Sequence, residues 1–419
     1  FPDKSYDFIA PKKKFINQMK SYFPENSSEL DDYIELIKNV NSYAMKYFSA
    51  KALSGISEKL LKGFLTRKFL KYSRMTTYEG LSSVISNEKL ISVLAGQWGD
   101  YGLPPKESSF VMHCMIANHY FDGANYPVGG SSMIAKTIVP VIERMGGQVQ
   151  ANKGVKEIWI ENNTAKGVIL ENGEKIASRN VISSAGVSNT LSKLLPSLDQ
   201  FSSFKNNMKK VSPSSGHACL YVGFNKSVDD LGMTDTNLWI YPTYDHDENV
   251  RKFKDNQDSD FPVLYMSFAS SKDPEWQDKH KDKSTMEVIV PSLFHHYKQW
   301  ENLPWKKRGD HYEEFKEKLS QRIIRSIYKH CPNLEGHISY YELSTPLSTK
   351  SMANYIQGEL YGIDHNPERF NQAWLKPKTP IQNLFLTGQD ILTVGLAGAL
   401  ASGVLTCSVM LKRNLFKSI

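Results

Sequence analysis

At 419 residues the sequence exceeds what one simple core organises, so two domains or one discontinuous pair is the starting expectation. With 40% hydrophobic and 23% charged residues it has the composition of a folded globular chain, and no apolar run reaches the roughly 18 residues of a membrane-spanning helix. The net charge of +7 is local, because residues 46–74 carry eight basic side chains against Glu58 alone; one basic segment without a docking motif gives no nucleic-acid footprint.

In chain order, residues 1–25 are mixed and lack a hydrophobic signal core. A helix follows over 26–40, opened by Asn26 or Ser27, with Leu30, Tyr33, Ile34, Ile37 and Val40 as its apolar stripe. In the basic segment Leu53, Ile56, Leu60, Phe64 and Phe69 recur near helical spacing, with Lys59, Lys62, Arg67 and Lys71 between them. Such a helix either lies in a membrane interface or packs its apolar face on its own domain. Thr76 and Glu79 stand at capping-box spacing. The stretch GQWGDYGLPP (96–105) breaks the helical pattern, and 108–121 is apolar nearly all round, which predicts a buried helix. His113 and His119 lie six apart on it, a spacing unsuited to chelation, so no metal is expected.

Residues 123–186 read as a glycine pair (Gly129, Gly130), a helix over 131–144, a three-stranded meander turning at Asn162-Asn163 and Asn172-Gly173, and a buried strand in NVISSAG. Strands and a helix in this order form one half of a dinucleotide-binding α/β unit. From 187 to about 380, HACLYVGFN, TNLWIYPTY, PVLYMSFAS, TMEVIVPS and ISYYELSTP are five strand candidates, with one amphipathic helix over 312–329; together they predict a mixed or antiparallel sheet covered by helices. The last stretch, 383–414, is a short strand over 383–387, then Gly388, Gln389 and Asp390, then a long apolar helix punctuated by Gly395, Gly398 and Gly403. A strand that ends in glycine and a carboxylate and feeds a helix start suits a phosphate- or ribityl-bearing cofactor, and a closely packed terminal helix is the alternative. Cys114, Cys219, Cys331 and Cys407 lie far apart, as expected of free thiols in a reducing compartment. No G-x-G-x-x-G, G-x-S-x-G, H-E-x-x-H, P-loop or zinc spacing occurs.

Four blocks, GDYGLPPKESSFVMHCMIANHYFDGANYPVGGSSMIAKTIVPVIERMGGQV, NVISSAG, LYGIDHNPERF and NLFLTGQDILTVGLAGALASGVLTCSVMLKRNL, occur in an order that resembles the retinol saturases. These belong to the phytoene desaturase and carotenoid isomerase branch of the FAD-dependent amine oxidase superfamily. The likeness runs from about 78 to 415. It implies an α/β fold: an FAD/NAD(P)-binding, Rossmann-like domain incomplete at its N-terminus, plus an α+β substrate domain with a mixed or antiparallel sheet. The implied division is 1–122 helical and facing substrate or membrane, 123–190 an FAD-binding segment with the meander, 191–380 the substrate domain, and 381–419 a C-terminal FAD-binding segment. The family's FAD fingerprint does not occur in this sequence, so a truncated form that holds FAD poorly by itself is expected.

The resemblance also assigns residues. Gly129 and Gly130 fall beside the flavin, the backbone of Val155 meets the adenine, and Ala185 and Gly186 close the strand passing the cofactor. Gly388, Gln389 and Asp390 match the block holding the ribityl–pyrophosphate part, with Gly395, Leu396 and Gly398 against the flavin ring. Backbone economy in tight turns is the rival explanation for each glycine. The implied activity is redox chemistry at C=C bonds of a lipophilic retinoid- or carotenoid-like polyene, with a saturase nearest in the blocks quoted. A carotenoid desaturase, an isomerase, or a non-catalytic lipid-binding relative that has lost flavin are the alternatives. Tyr101, His119 and Tyr361 are candidate proton donors because they sit in or beside the matching blocks. NAD(P)H is a candidate reductant, and residues 46–74 would hold the protein peripherally on the cytoplasmic face of a membrane.

Overall fold

The computed structural model describes residues 1–52, 55–197 and 199–418. A helical layer comes first: α1 (Lys12–Tyr22), α2 (Ser27–Ala50), α3 (Gly55–Ser73), α4 (Thr77–Ser82), α5 (Glu88–Leu94) and α6 (Phe110–Tyr120). The stripe of α2 buries Leu30, Tyr33, Ile37 and Val40, and runs beyond the predicted end through Ala44, Tyr47 and Phe48. Thr76 opens α4 with a reciprocal box: the Glu79 amide donates to the Thr76 hydroxyl at 3.2 Å, and the Thr76 amide to the Glu79 carboxylate at 2.8 Å.

Two helices depart from expectation. In α6 only Phe110 to Cys114 are buried, while Asn118 and His119 are exposed. In α3 the apolar face divides. Phe69 is fully buried, its ring stacked 4.0 Å from that of Tyr47, whereas Leu61 and Phe64 are 48% and 85% exposed. Leu53 lies outside the described residues, as do the side chains of Ile56, Lys59, Leu60 and Lys62.

After α7 (Ser132–Arg144), strands β1 (Val155–Glu161), β2 (Thr164–Leu170) and β3 (Lys175–Ala177) form an antiparallel meander. Its first turn places Asn162 and Asn163 at φ 46° and 57°, the left-handed pair that a two-residue hairpin needs. Strand β4 (Val181–Ser183) was expected to be buried, yet Ile182 is 46% exposed. The reason is that β4 is paired on one edge alone among the described residues. Likewise no residue of α7 is buried, and Ile138, Val141, Ile142 and Met145 are exposed.

Five strands follow, β5 (His217–Phe224), β6 (Leu238–Ile240), β7 (Leu264–Ser267), β8 (Ser284–Pro291) and β9 (Ile338–Ser344), with burial alternating along β7 and β8. They form one antiparallel sheet in the order β6-β7-β8-β5-β9. Helix α8 (Asp310–His330) lays Ile323, Ile324 and Ile327 over Leu220, Val222, Val288 and Leu343 of this sheet. Last come β10 (Leu384–Leu386), which pairs in parallel with β4, and α9 (Gly395–Leu411). The helical layer does not keep its core to itself, since Tyr241, Val263, Phe370, Leu392 and Leu405 are packed into it. All four cysteines are unpaired thiols. Among the described residues no helix is long and apolar enough to cross a membrane.

Candidate active site

The loop after α5 meets the five-stranded sheet around an apolar cavity of about 160 Å³, whose wall includes Trp98, Leu103, Trp239, Ile289 and Tyr361. Glycine shapes this wall. A Cβ on Gly99 would strike the Trp239 ring, and one on Gly102, at φ 88°, would press on the Tyr361 ring at 3.1 Å. The Tyr361 hydroxyl donates to the Gly99 carbonyl at 3.1 Å. Beneath it the Trp98 indole donates to His246 Nδ1 at 3.2 Å, so His246 carries its proton on Nε2, facing the Ser92 carbonyl at 2.8 Å. Burial lowers the His246 imidazole to about 4, which keeps it in that neutral form.

Asp100 sits on the same wall. Its Oδ2 is buried without a hydrogen-bond partner, and burial pushes the carboxyl up to about 7, with the Tyr120 hydroxyl offsetting only part of the shift. His217 also lines the cavity; its Nδ1 is a second buried orphan, and burial lowers the imidazole to about 4. Burial likewise raises the phenols of Tyr361 and Tyr120, with the Asp100 carboxylate adding to the shift.

Of the three proton-donor candidates read from the sequence, only Tyr361 lines this cavity. Tyr101 is buried in the helical core, and His119 is exposed against Tyr120. Asp100 and His217 escaped the sequence reading. GDYG looks like an ordinary loop, and nothing local marks a carboxylate as buried.

A second feature lies at the carboxyl ends of the parallel pair β10 and β4, where ligands collect in open α/β sheets. Gly186 and Asp390 are neighbours there, and a Cβ on Gly186 would lie 3.2 Å from Asp390 Oδ2. Asp390 is buried and accepts from the Val187 amide at 2.8 Å and the Ile363 amide at 3.0 Å. The Gly388 amide donates to Ser402 at 3.0 Å, and the Gln389 side-chain amide to the Tyr355 hydroxyl at 2.6 Å. Ala185, Gly395 and Leu396 are exposed.

The three glycines of α9 do not share one bare side. Gly395 has nothing within 4 Å of its missing Cβ, whereas at Gly398 that space is filled by the Thr393 carbonyl, so packing within the chain explains it. Gly129 and Gly130 precede α7; the Gly129 amide donates to Asp273 at 3.0 Å and is the first cause holding that carboxyl below its usual range. Val155 opens β1, opposite Leu170.

Arg369 ties the two features together. Its guanidinium is buried and donates to the carbonyls of Ile363 (2.9 Å), Gln389 (2.7 Å) and Asp390 (3.1 Å). Burial lowers it to about 10, still charged at neutral pH. The segment from Tyr361 on the cavity wall to Ile363 on Asp390 is three residues long, so cavity and strand-end turn share one short backbone.

The strand ends and the start of α9 suit FAD in their chemistry. The first turn of the 17-residue α9 has no side-chain cap on its amides, Gly395 leaves backbone open, and Leu396 offers apolar surface to a flat ring.

No protein-family model matches the chain. It is 33% identical to human all-trans-retinol 13,14-reductase over 432 residues, covering 99% of this chain and 71% of the relative. It is 30% identical to a zebrafish protein named inactive all-trans-retinol 13,14-reductase, covering 98% and 70%. Among solved structures a putrescine oxidase variant superposes with a TM-score of 0.56 at 11% identity, covering 93% of this chain and 77% of that one. The fold is therefore that of the FAD-binding amine oxidases, and by its likeness along nearly its whole length the chain belongs to the all-trans-retinol 13,14-reductase family.

Proposed function

We propose that the protein is a flavin-dependent reductase that saturates a C=C bond in a lipophilic polyene of the retinoid or carotenoid type. The observation that carries this reading is the apolar cavity joined through Tyr361–Ile363 to the glycine-containing turn at the ends of the parallel strands. In the reading, Gly388, Gln389, Asp390, Gly395 and Leu396 hold FAD with Ala185 and Gly186, while Gly129, Gly130 and Val155 approach it from the α7 and meander side. Gly398 acts through helix packing. FAD, when bound, supplies the hydride, with NAD(P)H as its reductant. The chain contributes a dry apolar wall that orients the polyene, and Tyr361, fixed on the Gly99 carbonyl, is the candidate proton donor. Anaerobic mixing of the flavin-reduced protein with all-trans-retinol reoxidises the flavin, and β-carotene does so more slowly. If neither polyene reoxidises it, the reading is wrong.

The relative named inactive supports a second reading, a polyene-binding protein without turnover. Polyene binding without flavin reoxidation would select it.

The exposed Leu61 and Phe64, with the exposed Lys68 and Lys71 on the same helix, support peripheral docking on an anionic membrane through residues 46–74. At about 1 kcal/mol per basic residue, Lys68→Gln with Lys71→Gln weakens sedimentation with phosphatidylserine vesicles roughly 30-fold. Unchanged sedimentation removes the docking role.

A further inference from the structure

A second apolar cavity, also of about 160 Å³, lies between residues 8–15 and the C-terminal end of α6, outside the site already described. Phe8, Ile9, Phe15, Ala117 and Phe121 line it, and the Phe15 ring stands 5.3 Å from that of Phe8 and 5.4 Å from that of Phe121. Gly123 lets the first segment lie close, since a Cβ there would press on Ala10 at 3.3 Å. The polar side chains on the wall are few and already engaged in part. The Tyr33 hydroxyl meets His113 Nε2 at 3.1 Å, and the Tyr120 hydroxyl acts on Asp100. A cavity with this lining takes hydrocarbon. Gln97 lines it and the next residue, Trp98, lines the first cavity, so one stretch of loop divides the two.

The rim has a different character. Phe8 and Ile9 are 41% and 39% exposed, and directly after them Lys12, Lys13 and Lys14 open α1, all three exposed. Lys20 of the same helix pairs with Asp31 at 2.7 Å, whereas the triplet has no ion pair among the described residues. Three cations in a first turn oppose the helix dipole, so they do not serve the stability of α1. Asp7 and Asp122 are the acids flanking these segments in sequence, and Asp7 already accepts from the Tyr22 hydroxyl at 2.9 Å, so the rim stays basic. The occupant has to match an apolar tip with lysines beside it. A second copy of the chain does not, because a two-fold contact would bring the two triplets together, and two exposed side chains fall far short of the roughly 1,000 Å² that a stable interface buries. An anionic bilayer does, because its hydrocarbon lies directly beneath a negatively charged surface.

We propose that residues 8–14 are a membrane-inserting surface: Phe8 and Ile9 enter the hydrocarbon of an anionic bilayer, Lys12, Lys13 and Lys14 lie among its headgroups, and the cavity behind them receives a lipid acyl chain. This surface is separate in sequence from residues 46–74, and it stands independently of docking there and of the polyene reading.

Ile9→Trp places a fluorophore on the cavity rim, and its emission above that of the unaltered protein is the readout. With phosphatidylserine vesicles brominated on their acyl chains, the added emission shifts to the blue and is quenched. Lys12→Gln, Lys13→Gln and Lys14→Gln together weaken sedimentation with these vesicles about 100-fold. Every altered side chain is exposed, and circular dichroism checks that the fold is kept. Lys68→Gln with Lys71→Gln leaves the quenching per bound protein unchanged. Sedimentation without quenching of the added emission overturns the insertion and leaves residues 46–74 as the contact. A triple variant that sediments as the unaltered protein does overturns the role of the lysines and the proposal with it. Absence of sedimentation overturns both docking surfaces and leaves the polyene reading standing. A dimer formed without lipid and dissolved by Phe8→Ser assigns the surface to a second copy of the chain instead.

Discussion

Replacing Arg369 with methionine lowers the unfolding free energy by about 4 kcal/mol, measured by urea denaturation at pH 7. The side chain is 4% exposed and donates to three main-chain carbonyls, those of Ile363, Gln389 and Asp390. Charge-assisted hydrogen bonds each contribute about 1.5–3 kcal/mol net, and methionine fills the volume while leaving the carbonyls without a donor. Relief of the guanidinium's own desolvation offsets part of the loss, which is why the figure stays near 4 rather than the simple total. Arg369→Lys recovers less than half of it, since an ammonium on a flexible stem does not reproduce a planar fork spread over three acceptors. A loss under about 1 kcal/mol in the methionine variant would show that the clamp is dispensable. The functional consequence follows from position. Ile363 follows Tyr361 of the cavity wall by two residues, and Gln389 and Asp390 belong to the strand-end turn, so loosening the clamp uncouples the two features.

Arg369 also shows where sequence reading stops. Strand β8 of the antiparallel sheet was legible because its alternation registers the sheet's two faces residue by residue. The capping box at Thr76 and the asparagine turn at 162–163 were legible for the same reason, since each is a contact between near neighbours in sequence. What could not be read is what distance in sequence conceals. Arg369 reaches Gln389 and Asp390 some twenty positions on. Asp100 shares its cavity wall with Trp239, Tyr265 and Tyr361, all far along the chain. The same limit explains the two overstatements about burial. The sequence 108–121 is apolar enough to be covered all round, and NVISSAG enough for a central strand, but cover is supplied by other segments, and here it is partial.

The glycines separate backbone economy from a place kept open for a ligand. Gly362→Ala lowers the unfolding free energy by about 3 kcal/mol, because two costs coincide. At φ 67° an alanine adopts a left-handed conformation at a cost of about 1 kcal/mol, and its Cβ overlaps Asp390 Oδ1. The carboxylate must then leave the Ile363 amide at 3.0 Å, the Val187 amide at 2.8 Å, or both. Gly395→Ala, at φ 83° with nothing within 4 Å, carries only the first of these costs, about 1 kcal/mol. Stability alone therefore ranks Gly362 well above Gly395. Flavin retention, read from absorbance near 450 nm after gel filtration of the loaded protein, ranks them together if Gly395 is bare because a flavin ring lies on it. An alanine there then displaces the ring although it disturbs no protein contact. A Gly395→Ala protein that keeps its flavin as firmly as the unaltered one leaves the terminal helix with a packing role only, and moves the flavin contact to the Gly388–Asp390 turn.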